Sequence, residues 1–267
     1  MTYWNDKVAV VTGGSAGLGL ALSQLLAKVG CHVVIAARGE EQGNQALQQI
    51  ESNKAQFIAT DVTNTDSVDR LVNQVIEQHG RIDAWFNNAG RSSRGLAHQT
   101  STEEFENLLQ LNFLGLARCS QATIPHLLQS QGHLVNIGSL AAKTASPYLG
   151  GYAVSKFPVA AYSQQLRMEH PASELHVLLV APGPIQRQDD RPRYQEQAAG
   201  LPESAGKPGG GVKLKGICPH HLSRKILKAC ERRQAELVVP AYARLLFAIG
   251  QLTPRLADWI TKKMTRS

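Results

Sequence analysis

One unit recurs along the first two thirds of the chain: a short β-branched run, a turn, then a longer stretch with helical apolar spacing. "KVAVVTG", "HVVIAAR", "AQFIATDV", "IDAWFNNAG", "HLVNIGS" and "LHVLLVAPG" read as strands. Between them, "LGLALSQLLAKVG" ending at Gly30, "EEQGNQALQQIES", "TDSVDRLVNQVIEQHG" with Gly80 as its C-cap, a stretch from Thr102 to Ser130, and one from Gly151 to His170 read as helices. The runs lack strict polar alternation, which marks strands buried on both faces. Strand–helix alternation of this kind, held over about 180 residues, requires a parallel sheet flanked by helices with right-handed crossovers. In such sheets ligands bind outside the carboxyl ends of the strands, so the loops after each strand carry the information about function.

After Gly183 the pattern loosens. Residues 186–216 are rich in Pro, Gly and charge, too long for a passive connection, and read as a substrate lid. "PHHLSRKILKACERR" is then a helix and "AELVVP" a seventh strand. Tyr242 to Arg266 is helical with interruptions at Gly250 and Pro254, where Thr253 and Pro254 suit N-cap and N1. The expectation is a single α/β domain over 1–267, a doubly wound sheet of seven parallel strands flanked by helices, with a C-terminal helical extension at 241–267.

Composition narrows the class. With 43% hydrophobic and 18% charged residues the chain can bury a sizeable core. Cys31, Cys119, Cys218 and Cys230 are scattered with no CxxC pair, so no metal site is expected and reduced thiols in the cytoplasm are. Met1 to Lys7 is polar, no leader is expected, and no apolar run approaches a membrane span. The net charge of +7 is uneven: Val212 onward carries twelve Lys/Arg against three Asp/Glu. That basic third suits an anionic partner or membrane surface, or simply a solvated helix face, the reading the pattern favours; no nucleic-acid partner is expected. Leu245, Ile249, Leu252, Leu256, Trp259 and Ile260 follow near-helical spacing among Arg244, Arg255, Lys262 and Lys263. Peripheral membrane contact is one reading of this stretch; packing on the body or on a partner subunit is the favoured one. "GLPESAGKPGGG" is no phosphate loop, because Pro208 stands where a hydroxyl residue must follow Lys207.

The first strand runs into "TGGSAGLG", where Gly13, Gly17 and Gly19 form a turn opening directly into a helix. Small residues, here with Ser15, Ala16 and the Leu18 backbone, let N–H groups approach a pyrophosphate at a helix N-terminus. The second strand ends at Arg38 with no acidic residue for a ribose 2′-hydroxyl, and a guanidinium fork suits a 2′-phosphate. NADP(H) is therefore the expected cofactor, with NAD(H) as the alternative. Asp61 and Val62 after the third strand are positioned for an adenine, although a strand-ending Asp is also a common turn cap.

Tyr152 and Lys156 in "YAVSK" lie four apart on a helix and share a face. A neighbouring ammonium favours a phenolate, which makes the pair a candidate general acid/base. Ser139, at the carboxyl end of the fifth strand, can hold a carbonyl oxygen beside Tyr152. Asn112 is a polar residue within an apolar helix and needs a partner, which could be only a backbone group.

Taken in order, "TGGSAGLG", "NNAG" at Asn87–Gly90, Asn112, Ser139, "YAVSK" and "PGP" at Pro182–Pro184 resemble the classical short-chain dehydrogenase/reductase family from about Lys7 to Pro240. "HVVIAAR" looks most like its NADP-dependent members related to hydroxysteroid dehydrogenases. The resemblance implies a Rossmann-type fold and hydride transfer between a nicotinamide and a carbonyl or secondary alcohol, in a homodimer or homotetramer. It implies Tyr152 as acid/base, and Lys156 as the ribose ligand that lowers the Tyr152 pKa. It implies Ser139 as the carbonyl-orienting hydroxyl and Asn112 as support for a water relay. Asn88, Ala89 and Gly90 then pack beside the adenosine ribose, and Pro182, Gly183 and Ile185 line the nicotinamide. Relatives often carry threonine where Arg187 stands. Arg187 is expected on the cofactor phosphates or an anionic substrate group, or in a solvent-facing ion pair. The rival reading is a catalytically inactive nucleotide-binding regulator of the same fold.

Overall fold

The computed structural model describes residues 2–186 and 194–265; Arg187, Asp189, Asp190 and Arg191 lie outside them. Strand β1 (Val8–Thr12) is buried at every position, and the apolar runs after it form β2 (His32–Ala37), β3 (Ala55–Ala59), β4 (Ala84–Asn87), β5 (His133–Ile137), β6 (His176–Pro182) and β7 (Glu236–Val239). All pair in parallel in the order β3-β2-β1-β4-β5-β6-β7. The order reverses beside β1, whose neighbours are β2 and β4. The crevice at the carboxyl ends of β1 and β4 is thus the switch point where this class of sheet takes its ligand.

Two apolar layers sandwich the sheet. On one face Ala9, Val11, Val33, Ile35 and Val180 pack with Leu22 and Leu26 of α1 (Gly17–Lys28), Ala46 of α2 (Glu40–Gln48), and Leu222 and Ile226 of α7 (Pro219–Glu231). On the other, Val8, Val10 and Val34 meet Leu71 and Val75 of α3 (Thr65–His79), Leu127 of α5 (Gly115–Ser130) and Leu166 of α6 (Tyr152–Glu169). Between the sheet and the second layer runs a buried polar chain. Trp85 Nε1 donates to Asn87 Oδ1, Asn87 Nδ2 to Ser120 Oγ and Asn136 Oδ1, and Asn136 Nδ2 to Ser163 Oγ, all between 2.9 and 3.0 Å. Each buried amide is satisfied, so the chain fixes the register of β4, β5, α5 and α6 instead of weakening the core.

Several elements depart from the reading of the sequence. The Thr102–Ser130 helix is continuous but not uniform: α4 (Thr102–Leu109) joins α5 through a π turn at Gln110–Leu114 that contains Asn112. The second helix ends at Gln48, short of Ser52. Gly250 does not interrupt α8 (Ala243–Leu252), and the break falls at Thr253, before α9 (Pro254–Thr265). Thr253 sits at the head of α9, where its carbonyl accepts from Leu256 N and Ala257 N and its hydroxyl donates back to Ile249 O at 3.2 Å. The α8–α9 hairpin buries Ala243 and Ala257 against the body and leaves Leu245, Leu252 and Trp259 exposed. Among the described residues no helix is long and apolar enough to cross a membrane.

The excursion read as a lid leaves and rejoins the sheet through a paired neck. Gln186 N donates to Ile217 O and Ile217 N to Pro184 O, both at 2.8 Å. Its described part, 194–216, contains two short 3-10 turns at Glu203–Gly206 and Pro208–Gly211.

Candidate active site

The glycine turn is shaped by steric necessity. Gly17 has φ +54° with open space where a Cβ would stand, whereas a Cβ on Gly19 would collide with the Gly13 carbonyl oxygen and Asn88 Nδ2. Asn88 explains that closeness: its Nδ2 donates to Thr12 O (2.9 Å) and Gly13 O (3.1 Å). Thr12 Oγ1 accepts from Asn88 N and Ala89 N at 3.0 and 3.1 Å, so the turns after β1 and β4 are laced together. Asn88 is therefore spent on shaping the cradle. The α1 N-terminus has no side-chain cap and no acidic residue in its first turn. Its N–H groups, beside exposed Ala16 and Gly17 and half-buried Ser15, are left to an anion, which is what a dinucleotide pyrophosphate requires. Leu18 is buried in the core, so only its backbone can serve the site.

At the carboxyl end of β2 and β3, Arg38 is exposed and its charge acts on Asp61. Burial raises the Asp61 carboxyl, but hydrogen bonds from Thr63 N (2.9 Å) and Thr63 Oγ1 (2.7 Å), with Arg38 and Arg118, outweigh it and hold the group below its ordinary value. Asp61 is thus a turn cap with one oxygen engaged. Val62 is buried in the second apolar layer, and its carbonyl accepts from Arg118 Nη1 at 2.8 Å.

The acid/base candidates converge where β5 ends. Ser139 Oγ accepts from Ala141 N at 3.1 Å, and the Ser139 side chain acts to lower the Tyr152 phenol's pKa. Lys156 is buried, and its Nζ donates to Ile137 O at 2.9 Å. A Cβ on Gly90 would lie 3.5 Å from Lys156 Nζ, and one on Gly13 3.0 Å from Ala89 Cα. Glycine turn, "NNAG" loop and Tyr152–Lys156 helix therefore face one cleft. Pro182 closes β6 beside it. Gly183 N donates to Val239 O at 2.7 Å, and Ile185 pairs with Ile217. Arg187 falls outside the described residues.

Two expectations change here. The Tyr152 phenol is raised above its ordinary value by burial; the Ser139 hydrogen bond and the Arg94 charge oppose this, and the Lys156 ammonium is not among the groups that move it. Desolvation also pushes Lys156 down to about 8. Asn112 holds the backbone: its Nδ2 donates to Arg91 O (2.9 Å) and Ser155 Oγ (2.8 Å), and its Oδ1 accepts from Arg91 N (2.8 Å). With both amide hydrogens engaged, the side chain is a staple between the "NNAG" loop and α6. A π turn at such a position is a recurrent device for aiming one residue out of helical register.

Comparison with known proteins agrees with this geometry. The family model described as short chain dehydrogenase matches residues 7–198. The chain belongs to that family. It is an oxidoreductase enzyme of the short-chain dehydrogenase/reductase type, working with a nicotinamide cofactor. It is 29% identical to a dehydrogenase/reductase SDR family protein 7-like of Anopheles gambiae, covering 98% of this chain and 84% of the relative. It is 32% identical to an uncharacterized oxidoreductase of Staphylococcus epidermidis over 69% of this chain and 80% of that one. Among solved structures, a short-chain dehydrogenase from Streptomyces avermitilis superposes with TM-score 0.80 at 25% identity, covering 97% of this chain and 96% of the other. A short-chain dehydrogenase/reductase from Burkholderia phymatum in complex with NAD shares the fold, with TM-score 0.79 at 22% identity, covering 94% and 96%.

Three residues of this dehydrogenase site escaped the sequence reading. Thr12 ties the two turns together, Ser155 receives Asn112, and Arg94 acts on Tyr152. Ser155 stands inside "YAVSK", but its meaning depends on a partner 43 residues away. Arg94 carries only one signal, its place in the loop after the fourth strand.

Among the described residues one cluster could in principle ligate a metal: His133, His176 and Cys230, fully buried at the amino ends of β5 and β6, away from the cleft. Its ring nitrogens are already engaged. His133 Nδ1 meets His176 Nδ1 at 2.7 Å, His133 Nε2 meets Tyr3 OH at 2.6 Å, and His176 Nε2 donates to Gln234 O at 2.8 Å.

Proposed function

We propose that the enzyme interconverts a small carbonyl compound and its secondary alcohol with NADP(H) as preferred cofactor, and that Tyr152 moves the proton. The placement of Tyr152 one helical turn from Lys156, whose Nζ is fixed on Ile137 O at 2.9 Å, with Ser139 acting on the phenol, carries this reading. When bound, the nicotinamide supplies or accepts the hydride. The α1 N-terminus with Gly13, Ser15, Ala16, Gly17 and Gly19 would hold the pyrophosphate, Arg38 the 2′-phosphate, and Asp61 the adenine amino group through its second oxygen. Ala89 and Gly90 would lie along the adenosine ribose and Lys156 on the nicotinamide ribose, with Pro182, Gly183 and Ile185 beside the ring. Arg38 alone supports the NADP preference and the likeness to hydroxysteroid-dehydrogenase-like members. The described part of the excursion, 194–216, would cover the substrate as a lid.

The electrostatics suit reduction. A phenol held above its ordinary value keeps its proton at neutral pH and can give it to a carbonyl oxygen. Ser139 would orient that oxygen, its own oxygen being steadied by Ala141 N. In the reverse direction the phenolate is needed, and a cationic group beside Tyr152 would favour it.

We also infer a homo-oligomer. The outer side of α6 exposes Val154 and Phe157, at 49% and 44%, and continues into an apolar depression lined by Ala145, Pro158 and Ala161. The experiment that tests the activity is a turnover screen of ketones, aldehydes and secondary alcohols with NADPH and NADH in parallel. Turnover with higher kcat/KM for NADPH is expected. Higher efficiency with NADH would overturn the preference, and saturable cofactor binding with no turnover of any compound would favour the inactive regulator.

A further inference from the structure

Arg94 is the most heavily engaged side chain near Tyr152 that the proposed chemistry does not use. It is buried to 7% exposure in the loop after β4. Its Nε donates to Ala205 O at 2.9 Å and its Nη2 to Lys207 O at 3.2 Å. Its Nη1 donates to Ser92 Oγ at 2.8 Å and Ser93 O at 2.6 Å, and its guanidinium stacks 3.8 Å over the Tyr194 ring. Its own backbone N–H donates to Gln197 Oε1 at 3.1 Å. One residue thus grips the 194–207 segment at four places, including carbonyls on either side of Gly206, where the first short turn ends. A planar fork does this, and a lysine cannot reproduce it.

The same loop is tied to the turn that presents Tyr152. Ser93 Oγ donates to Leu149 O at 3.0 Å, and that carbonyl also accepts the Tyr152 N–H at 3.0 Å. Gly95 N donates to Tyr148 O, and Gly150 N to Gly95 O at 2.9 Å. The chain just beyond that segment presses on this turn, since a Cβ on Gly210 would stand 2.9 Å from Pro147 O. Arg94 and Tyr194 both act electrostatically on the Tyr152 phenol, in opposite directions.

We propose that Arg94 is a positioning residue: it fastens the 194–207 segment to the loop after β4 and thereby fixes the backbone turn from which Tyr152 enters the cleft. The inference rests on the reading of Tyr152 as the proton-transfer residue. Among the described residues, the Arg94 bonds described above run to the 194–207 segment and to its own loop and not to the glycine turn, and that separation gives the test.

The variants are Arg94→Met and Arg94→Lys in the full chain, beside Tyr152→Phe. In R94M, limited proteolysis of the ligand-free protein should cleave within 194–207 at least about tenfold faster. With a carbonyl that the wild type reduces, kcat should fall about tenfold or more while the NADPH dissociation constant stays within about twofold. R94K, keeping charge but not the fork, should fall between the two in both readouts. If R94M is unfolded by circular dichroism, R94K alone carries the test, with threefold or greater change expected in each. Cleavage no faster than wild type overturns the tether. Faster cleavage with unchanged kcat, or a loss of kcat matched by an equal loss of NADPH affinity, overturns the positioning role. If Y152F keeps full activity, the reading of Tyr152 fails separately, whatever the Arg94 variants do.

Discussion

At the scale of single residues, spacing alone exposed Tyr152 and Lys156, because a shared helix face follows from four-residue separation. Their electrostatics were not legible. A pair in water would lower the tyrosine, but both side chains are withdrawn from solvent, and burial moves each toward its neutral form. Arg38 is the simpler case: it lies exposed just past the end of β2, where its position in the chain puts it. Replacing Arg38 with Leu is expected to weaken NADPH binding by about tenfold or more, the scale of one lost charge-assisted contact, with NADH binding changed less than about twofold. Equal loss for both cofactors, measured by fluorescence titration, would move Arg38 out of the 2′-phosphate role. Arg94 could not have been found, since its partners Tyr194, Ala205 and Lys207 lie a hundred or so residues further on in a segment without periodic pattern.

At the scale of elements, every strand was visible because β-branched runs between helical patterns leave no other assignment. The π turn at Gln110–Leu114 was not, because one shifted register changes neither composition nor apolar spacing enough to show. Asn112 gave the only hint, as a polar residue in an apolar helix. The histidine pair at the starts of β5 and β6 was equally silent, being two unremarkable residues 43 positions apart. Desolvation, with His176 nearby, pushes His133 down to about 2; desolvation pushes His176 down to about 4. Both are neutral in the fold and titrate near ~6.5 when unfolded. The unfolded chain therefore binds more protons below that value, and stability is lost as pH falls through and below it, by up to about 1.4 kcal/mol per pH unit for each histidine. His79, lowered by burial beside His32, adds to the same slope. Urea unfolding at pH 7 and pH 5 should show a clear fall in midpoint, reduced in His176→Gln. A midpoint independent of pH over that window would contradict the buried pair.

At the scale of the whole molecule, the strand order brings the ends of β1, β4 and β5 to one edge, so that the glycine turn and Tyr152, the proposed phosphate cradle and proton donor, meet there. Alternation and crossover handedness allowed that edge to be anticipated; how the 194–216 segment packs over it was not, because Pro/Gly-rich sequence specifies no period. The outer face of the molecule carries its own expectation. Phe157→Asp on α6 should convert the homo-oligomer to monomer in sedimentation velocity, and a wild-type monomer at micromolar concentration would contradict the inferred assembly. The central claim is that proton transfer at Tyr152 enables carbonyl reduction. Its most direct test is single-turnover oxidation of NADPH by wild type and Tyr152→Phe with one reactive carbonyl, alongside NADPH titration of each. The expected result is a loss of rate on the order of 10²-fold or more in the variant, with cofactor affinity within about twofold; undiminished turnover by Tyr152→Phe would contradict the account.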